Sequence, residues 1–214
     1  MHEQILTPDQ TAVLQALKAI PAVGEFYLAG GTALALRIGH RRSVDFDFFR
    51  VSSFDKDALH EALRATALPM EPKILDKRDT LYVTLGGVTT SFFRYDYPLI
   101  EPPEPTRWGF GVAGLRDIAA MKLEAIGSRG SRKDFVDTYF LLRDHMSIAD
   151  AAAAWRSKYA LSREELFHRL RALTYFADAE TLALPTMLVP FDWNEAKRAL
   201  ETWTRDAGRE MLEV

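Results

Sequence analysis

Cysteine is absent from all 214 residues, which excludes disulfides and thiolate zinc sites and agrees with a reducing compartment. No stretch approaches the roughly 18 consecutive apolar residues that a membrane-spanning helix needs. The first residues, MHEQILTPDQ, lack the basic and apolar regions of a signal peptide. A cytoplasmic protein with no membrane partner is therefore expected. An excess of positive charge is missing too: 27 Lys and Arg against 30 Asp and Glu give a formal net charge of −3. A protein that coats nucleic acid draws its affinity from many basic contacts to phosphate, so this balance argues against that class and leaves room for a local basic patch. The five histidines follow no metal-ligand spacing, no serine sits in a nucleophile elbow, and no Gly-x-x-x-x-Gly-Lys occurs.

What is present is enough apolar residue, 48% of the chain, to bury a core in one domain or two small ones. Chemistry concentrates between Phe26 and Arg50, FYLAGGTALALRIGHRRSVDFDFFR. Ser43 to Phe49 alternates, which predicts a strand with Val44, Phe46 and Phe48 on one side and Ser43, Asp45 and Asp47 on the other. Carboxylates at i and i+2 lie roughly 7 Å apart at Cα, close enough for their oxygens to converge on divalent cations. Upstream, Phe26 to Ala29 reads as a short buried strand ending at Gly30-Gly31, with Thr32 opening a helical segment over 33–38. Glycines let the backbone approach a phosphate, and the free N–H groups of a helix start favour an anion. A metal-binding strand beside a phosphate-binding turn is the arrangement that phosphoryl transfer requires. The plainer readings are a tight turn, a solvated strand edge, and a solvated loop over His40, Arg41 and Arg42.

The remaining chain reads mostly as scaffold. Thr7-Pro8-Asp9-Gln10 predicts a capped helix with Val13, Leu14, Leu17 and Ile20 inward. Ser53 is expected to cap a helix through Ala67. Strands are expected at Ile74-Leu75, Leu81 to Leu85 and Val88 to Tyr95, the last two joined by a Gly86-Gly87 hairpin that extends the sheet of Asp45 and Asp47. Pro98 to Trp108 is extended, and a small strand is expected within 109–113. Leu115 to Ile126 predicts a helix with Leu115, Ile118, Met121 and Ala125 inward and Lys122 at the stripe's edge, broken over Gly127 to Gly130. Ser131 then starts a helix in which Asp134 closes a capping box and Asp137 pairs with Lys133, on the structural reading. Ser147 with Asp150, Ser162 with Glu165, and Asp192 with Glu195 mark three further helix starts. Arg129, Arg132 and Lys133 form a second basic group, which together with residues 40–42 would give an RNA or a triphosphate a positive rim.

Gly30-Gly31-Thr32, His40-Arg41, Ser43 and Asp45-x-Asp47-Phe48-Phe49 resemble the first motif of the AbiEii/AbiGii toxin family, within the DNA polymerase β-like nucleotidyltransferase superfamily. Lys122 and Arg132-Lys133-Asp134-x-x-Asp137 resemble its downstream motifs, with order and spacing in agreement over most of the chain. The resemblance implies an α+β fold: a nucleotidyltransferase lobe with a mixed sheet over 1–113 and a helical part over 114–214. It implies transfer of a nucleotidyl group from an NTP to an acceptor hydroxyl. Asp45 and Asp47 would hold Mg²⁺ or Mn²⁺, while Gly30, Gly31, Thr32, Ser43 and Arg41 would bind the nucleotide. Lys122 would offset the triphosphate charge, and one of Asp134 and Asp137 would orient Lys122 or the acceptor. The biology implied is the toxin of a bacterial abortive-infection toxin–antitoxin pair, with its antitoxin encoded nearby and tRNA as acceptor. One feature departs from the superfamily, where a third carboxylate often stands on a neighbouring strand. Val88 to Phe93 holds no acid, and Asp96 follows in a turn. A nucleotide- or partner-binding module without turnover and a small-molecule nucleotidyltransferase are the alternatives left open.

Overall fold

Thr7 and Gln10 form a reciprocal capping box in the computed structural model, which describes residues 1–72 and 79–213. Pro8 then opens helix α1 (Pro8–Lys18) as the sequence predicts, because its missing N–H is no loss in a first turn. Val13, Leu14 and Leu17 are buried on its inner face. The chain divides into two compact units, Met1–Gly114 and Leu115–Val214.

In the first unit, β1 (Tyr27–Ala29), helix α2 (Gly30–Ile38) and β2 (Phe46–Arg50) follow α1. Next come helix α3 (Lys56–Arg64), β3 (Met70–Pro72), β4 (Thr80–Leu85), β5 (Val88–Arg94), β6 (Glu104–Pro105) and β7 (Gly111–Val112). The strands make one mixed sheet in the order β3-β4-β5-β2-β1-β7-β6. Strand β2 is antiparallel to β1 and parallel to β5, and β4 and β5 form the hairpin expected from Gly86-Gly87. Both glycines sit at positive φ, which the tight turn demands. One face carries the core: Leu28, Phe46, Phe48 and Phe92 are fully buried, with Phe48 stacked on Phe92 at 5.1 Å and meeting Phe110 edge-on at 4.9 Å.

Two expectations need correction here. Ser43, Val44 and Asp45 precede β2, and Val44 is 69% exposed where the alternation would bury it. Two carbonyls of this segment are taken by side chains: Gln10 Nε2 donates to Ser43 O at 2.8 Å and Thr32 Oγ1 to Asp45 O. Helix α3 is capped by Asp55 in place of Ser53, because the Asp55 carboxylate accepts the N–H groups of Asp57 and Ala58, and it ends at Arg64. The strand expected at Ile74-Leu75 lies outside the described residues.

The second unit contains helices α4 (Leu115–Arg129), α5 (Arg132–Asp144), α6 (Ile148–Tyr159), α7 (Arg163–Leu170), α8 (Ala177–Glu180) and α9 (Trp193–Glu213). Capping boxes at Ser147 and Ser162 start α6 and α7 as expected, and the Asp192 side chain accepts the Glu195 N–H at the start of α9. Helix α4 runs straight through Gly127 and stops only at Gly130, where φ is +53°. Its buried face is Asp117, Ile118, Ala119, Ala120, Lys122, Leu123 and Ile126, so Lys122 lies within the inward stripe and not at its edge. Among the described residues no helix is long and apolar enough to cross a membrane.

Candidate active site

The register of β1 on β2 places Ala29 opposite Asp47, and Ala29 is also the residue from which helix α2 starts. One strand end therefore delivers a helix N-terminus beside a carboxylate. Gly30 makes the join possible: its φ is +71°, and a Cβ there would lie 2.9 Å from Asp47 Oδ2. At Gly31 a Cβ would lie 2.7 Å from Arg41 Nη2 and 2.9 Å from Ser43 Oγ. A guanidinium, a hydroxyl and the first turn of α2 thus converge on one patch of bare backbone. Arg41 is only 3% exposed, with Nη1 donating to Arg42 O at 2.8 Å. Through Thr32 and Gln10 the segment 43–45 is held from two sides. The structure therefore brings Gly30 to Asp47, Gly31 to Arg41 and Ser43, and Thr32 to Asp45.

His40 and Arg41 are both buried, which corrects the reading of residues 40–42 as a solvated basic loop; Arg42 alone of the three is exposed. Arg41 faces inward because the glycine beneath it leaves room for the guanidinium.

On the other flank of β2, Ser91 of β5 pairs with Asp47, and Tyr82 of β4 pairs with Ser91. Burial, and after it the negative charge of Asp47, push the Tyr82 phenol above its ordinary pKa. Asp96 sits beyond the end of β5 in an ion pair with Arg94 at 2.7 Å, and Arg94 also reaches Asp79 at 3.3 Å. Sequence reasoning missed Tyr82, Ser91 and Gln10 as neighbours of this site. The hairpin turn was enough to set Tyr82 opposite Ser91, but the parallel pairing of β5 on β2 left no local signal.

In the second unit, Lys122 Nζ lies 2.8 Å from Asp134 Oδ1 and 2.6 Å from Asp137 Oδ2, with both carboxylates fully buried. Arg129 Nε donates to Asp134 Oδ2 at 2.8 Å, and Ser131 Oγ donates to the same oxygen at 2.6 Å. Burial alone would raise the Asp134 carboxyl, but the charges of Lys122 and Arg129 outweigh it and hold the pKa at about 2. Two structural readings are corrected. Ser131 makes no side-chain cap bond, since its hydroxyl serves the Asp134 carboxylate, and Asp137 takes Lys122 instead of Lys133. Two members of the second basic group are engaged within their own unit, Arg129 on Asp134 and Arg132 over the Trp193 ring at 4.7 Å while donating to Leu182 O at 2.9 Å, and Lys133 is exposed. A further buried pair, Lys158 with Asp117 at 2.7 Å, gave no sequence signal. Among the described residues no group of three or more His, Cys, Asp or Glu is arranged to hold a metal ion.

Comparison with known proteins bears on the family and the fold. The uncharacterized protein aq_aa25 of Aquifex aeolicus (strain VF5) is 38% identical over 176 residues, covering 81% of this chain and 84% of its own. A crystal structure of a Helicobacter pylori protein assigned as a nucleotidyltransferase superposes with a TM-score of 0.58 at 17% identity, covering all of this chain and 98% of the other. JHP933 from Helicobacter pylori gives 0.54 at 18% identity, covering 99% of this chain and 92% of its own. At such identities the likeness speaks for the fold alone, a mixed sheet with helices followed by a helical part. The model of one family, described as "Nucleotidyl transferase AbiEii toxin, Type IV TA system", matches residues 12–210. The chain belongs to that family, the AbiEii nucleotidyltransferase toxins of type IV toxin–antitoxin systems.

Proposed function

We propose that this transferase moves a nucleotidyl group from an NTP to a hydroxyl of tRNA, with Asp45 and Asp47 as the metal-binding pair, and that its toxicity is countered by an antitoxin encoded nearby. The observation that carries the reading is Gly30, whose missing side chain leaves Asp47 Oδ2 against the start of helix α2. A carboxylate and an anion-binding helix start in direct contact make sense when a cation and a polyphosphate share the space between them. Two carboxylates, with no third such ligand grouped beside them among the described residues, suit Mg²⁺, or Mn²⁺ in its place. Mg²⁺ is commonly held by one or two carboxylates, with water and substrate phosphates completing its shell. When bound, such a cation supplies charge neutralisation to the phosphates.

The chain's own groups do the positioning. The N–H groups at Gly30 and Gly31 and the Arg41 guanidinium receive the triphosphate, with the Ser43 hydroxyl beside them. Thr32 fixes the Asp45 backbone. The acceptor oxygen forms a bond to the α-phosphorus, the bond from that phosphorus to the pyrophosphate oxygen breaks, pyrophosphate leaves with the electron pair, and the hydroxyl proton passes to water. Ser91 stands across from Asp47 on a strand that carries no acid, so no third carboxylate takes that proton from β5. For Lys122, Asp134 and Asp137 the proposal is narrower: the two carboxylates hold the lysine in one position, and that position is what catalysis uses.

The test is incubation of the full chain with each α-labelled NTP and Mg²⁺, offering total tRNA, protein extract and small metabolites as separate acceptors. Label is expected on tRNA, and a chelator is expected to abolish it. Label on protein or on small molecules with none on tRNA overturns the acceptor, and label that persists in chelator overturns the metal.

A further inference from the structure

We propose that the outer face of the first unit's sheet is a stacking platform for the unpaired 3′-terminal bases of an RNA acceptor, an inference that rests on the nucleotidyl transfer proposed above. Phe46, Phe48 and Phe92 fill the core on one face of the sheet. Alternation puts Asp47 on the other face and, two residues on, Phe49. Phe49 pairs with Phe93 of β5 and stacks on it at 5.1 Å. Tyr82 meets Phe93 edge-on at 5.4 Å, and Tyr95 meets Phe49 edge-on at 5.3 Å. Tyr97, 41% exposed, lies 5.0 Å from Tyr95. Phe49, Tyr82, Phe93 and Tyr95 are all half-exposed. Buried Tyr27 stacks on Phe49 at 6.0 Å from β1, so the open part of the ladder is Tyr82, Phe93, Tyr95 and Tyr97, beside the carboxylate and on the face away from Phe48 and Phe92. Every base presents a π face, so aromatic rings hold unpaired nucleotides whatever their sequence.

Strand order decides which reactant this ladder serves. The phosphate-binding start of α2 follows β1 on one flank of β2, while β5 and β4 lie on the other. Attack in line with departing pyrophosphate comes from the side of the phosphorus away from that group. With pyrophosphate at Gly30 and Gly31, the acceptor enters over β5 and β4, where Phe93 and Tyr82 lie. The guanidiniums nearest the ladder are already matched, Arg94 by Asp96 and Asp79 and Arg50 by Glu25 at 2.6 Å. Binding here therefore releases few counterions and depends weakly on salt, in keeping with a chain of net charge −3. Paired bases are already stacked on each other, so the face selects RNA with a single-stranded 3′ end.

The experiment measures fluorescence anisotropy of a labelled RNA hairpin with a short 3′ overhang, and of the same hairpin with a blunt end, on the full-length chain at low and at physiological salt. Phe93→Leu and Tyr95→Leu keep apolar bulk and remove the π face; each is expected to weaken overhang binding about tenfold, while Tyr95→Phe binds as wild type. Tyr97→Leu, at an exposed position, gives the same reading if the Phe93 variant fails to fold. Calorimetric titration of the four NTPs runs in parallel. Unchanged overhang binding in the leucine variants, blunt-end binding as tight as overhang binding, or a steep salt dependence overturns the platform. Weakened NTP binding with intact overhang binding overturns its assignment to the acceptor. Should wild type bind no NTP while the leucine variants still lose the overhang, the transfer reading fails and the platform stands.

Discussion

At Gly30 the backbone holds φ +71° with a carboxylate oxygen where a side chain would begin. Gly87, at φ +79°, has the same handedness with nothing within 4 Å of its missing Cβ. The pair separates backbone strain from site disruption. Alanine at either position is expected to cost about 1 kcal/mol from the left-handed conformation. Only Gly30→Ala also displaces the Asp47 carboxylate, so it is expected to lower transfer more than about tenfold, while Gly87→Ala melts a few degrees lower and keeps its rate. Thermal melts and initial rates on both variants check this; equal loss of rate in the two would show that Gly30 matters only for folding. At this scale the sequence singled out Gly30, Gly31 and Asp47, and the fold sets Gly30 against the Asp47 carboxylate. Nothing in the sequence marked Arg41 as buried. A run of bases reads as solvated until the vacant space at Gly31 that admits the guanidinium is known.

Elements whose signals are local were legible: the caps of α1, α6, α7 and α9 and the β4–β5 hairpin each depend on residues within a few positions of one another. Strand β2 was read as starting three residues early because the carbonyls of Ser43 and Asp45 bond to Gln10 and Thr32, which are distant in sequence. The face of α4 was misassigned for a related reason. Lys122 is buried only because α5 brings Asp134 and Asp137 to it, and no pattern within α4 records that. Lys122→Ala leaves the buried Asp137 carboxylate without its ammonium and is expected to destabilise the protein by about 3–5 kcal/mol. Asp134 adds a pH dependence of definite sign. Its pKa falls from 3.8 to about 2 on folding, so its contribution is complete above about pH 4 and is lost as the pH drops toward 2. Urea melts across that range should show the wild type losing stability on the acid side, with a smaller loss in Lys122→Ala; a slope of equal size in the variant would separate the Asp134 shift from Lys122.

For the whole molecule, fold and family were legible because the motif glycines, aspartates and Lys122 occur in one order along the chain, and the family match runs over residues 12–210. The central claim is that the bond broken lies between the α and β phosphates. Parallel reactions with α-labelled and γ-labelled NTP in Mg²⁺, using wild type and Asp47→Asn, test it most directly. Label should pass to the acceptor from the α position alone, with pyrophosphate released, and fall by more than about a hundredfold in Asp47→Asn. Transfer from the γ position, or transfer that survives the substitution, would contradict nucleotidyl transfer at Asp47.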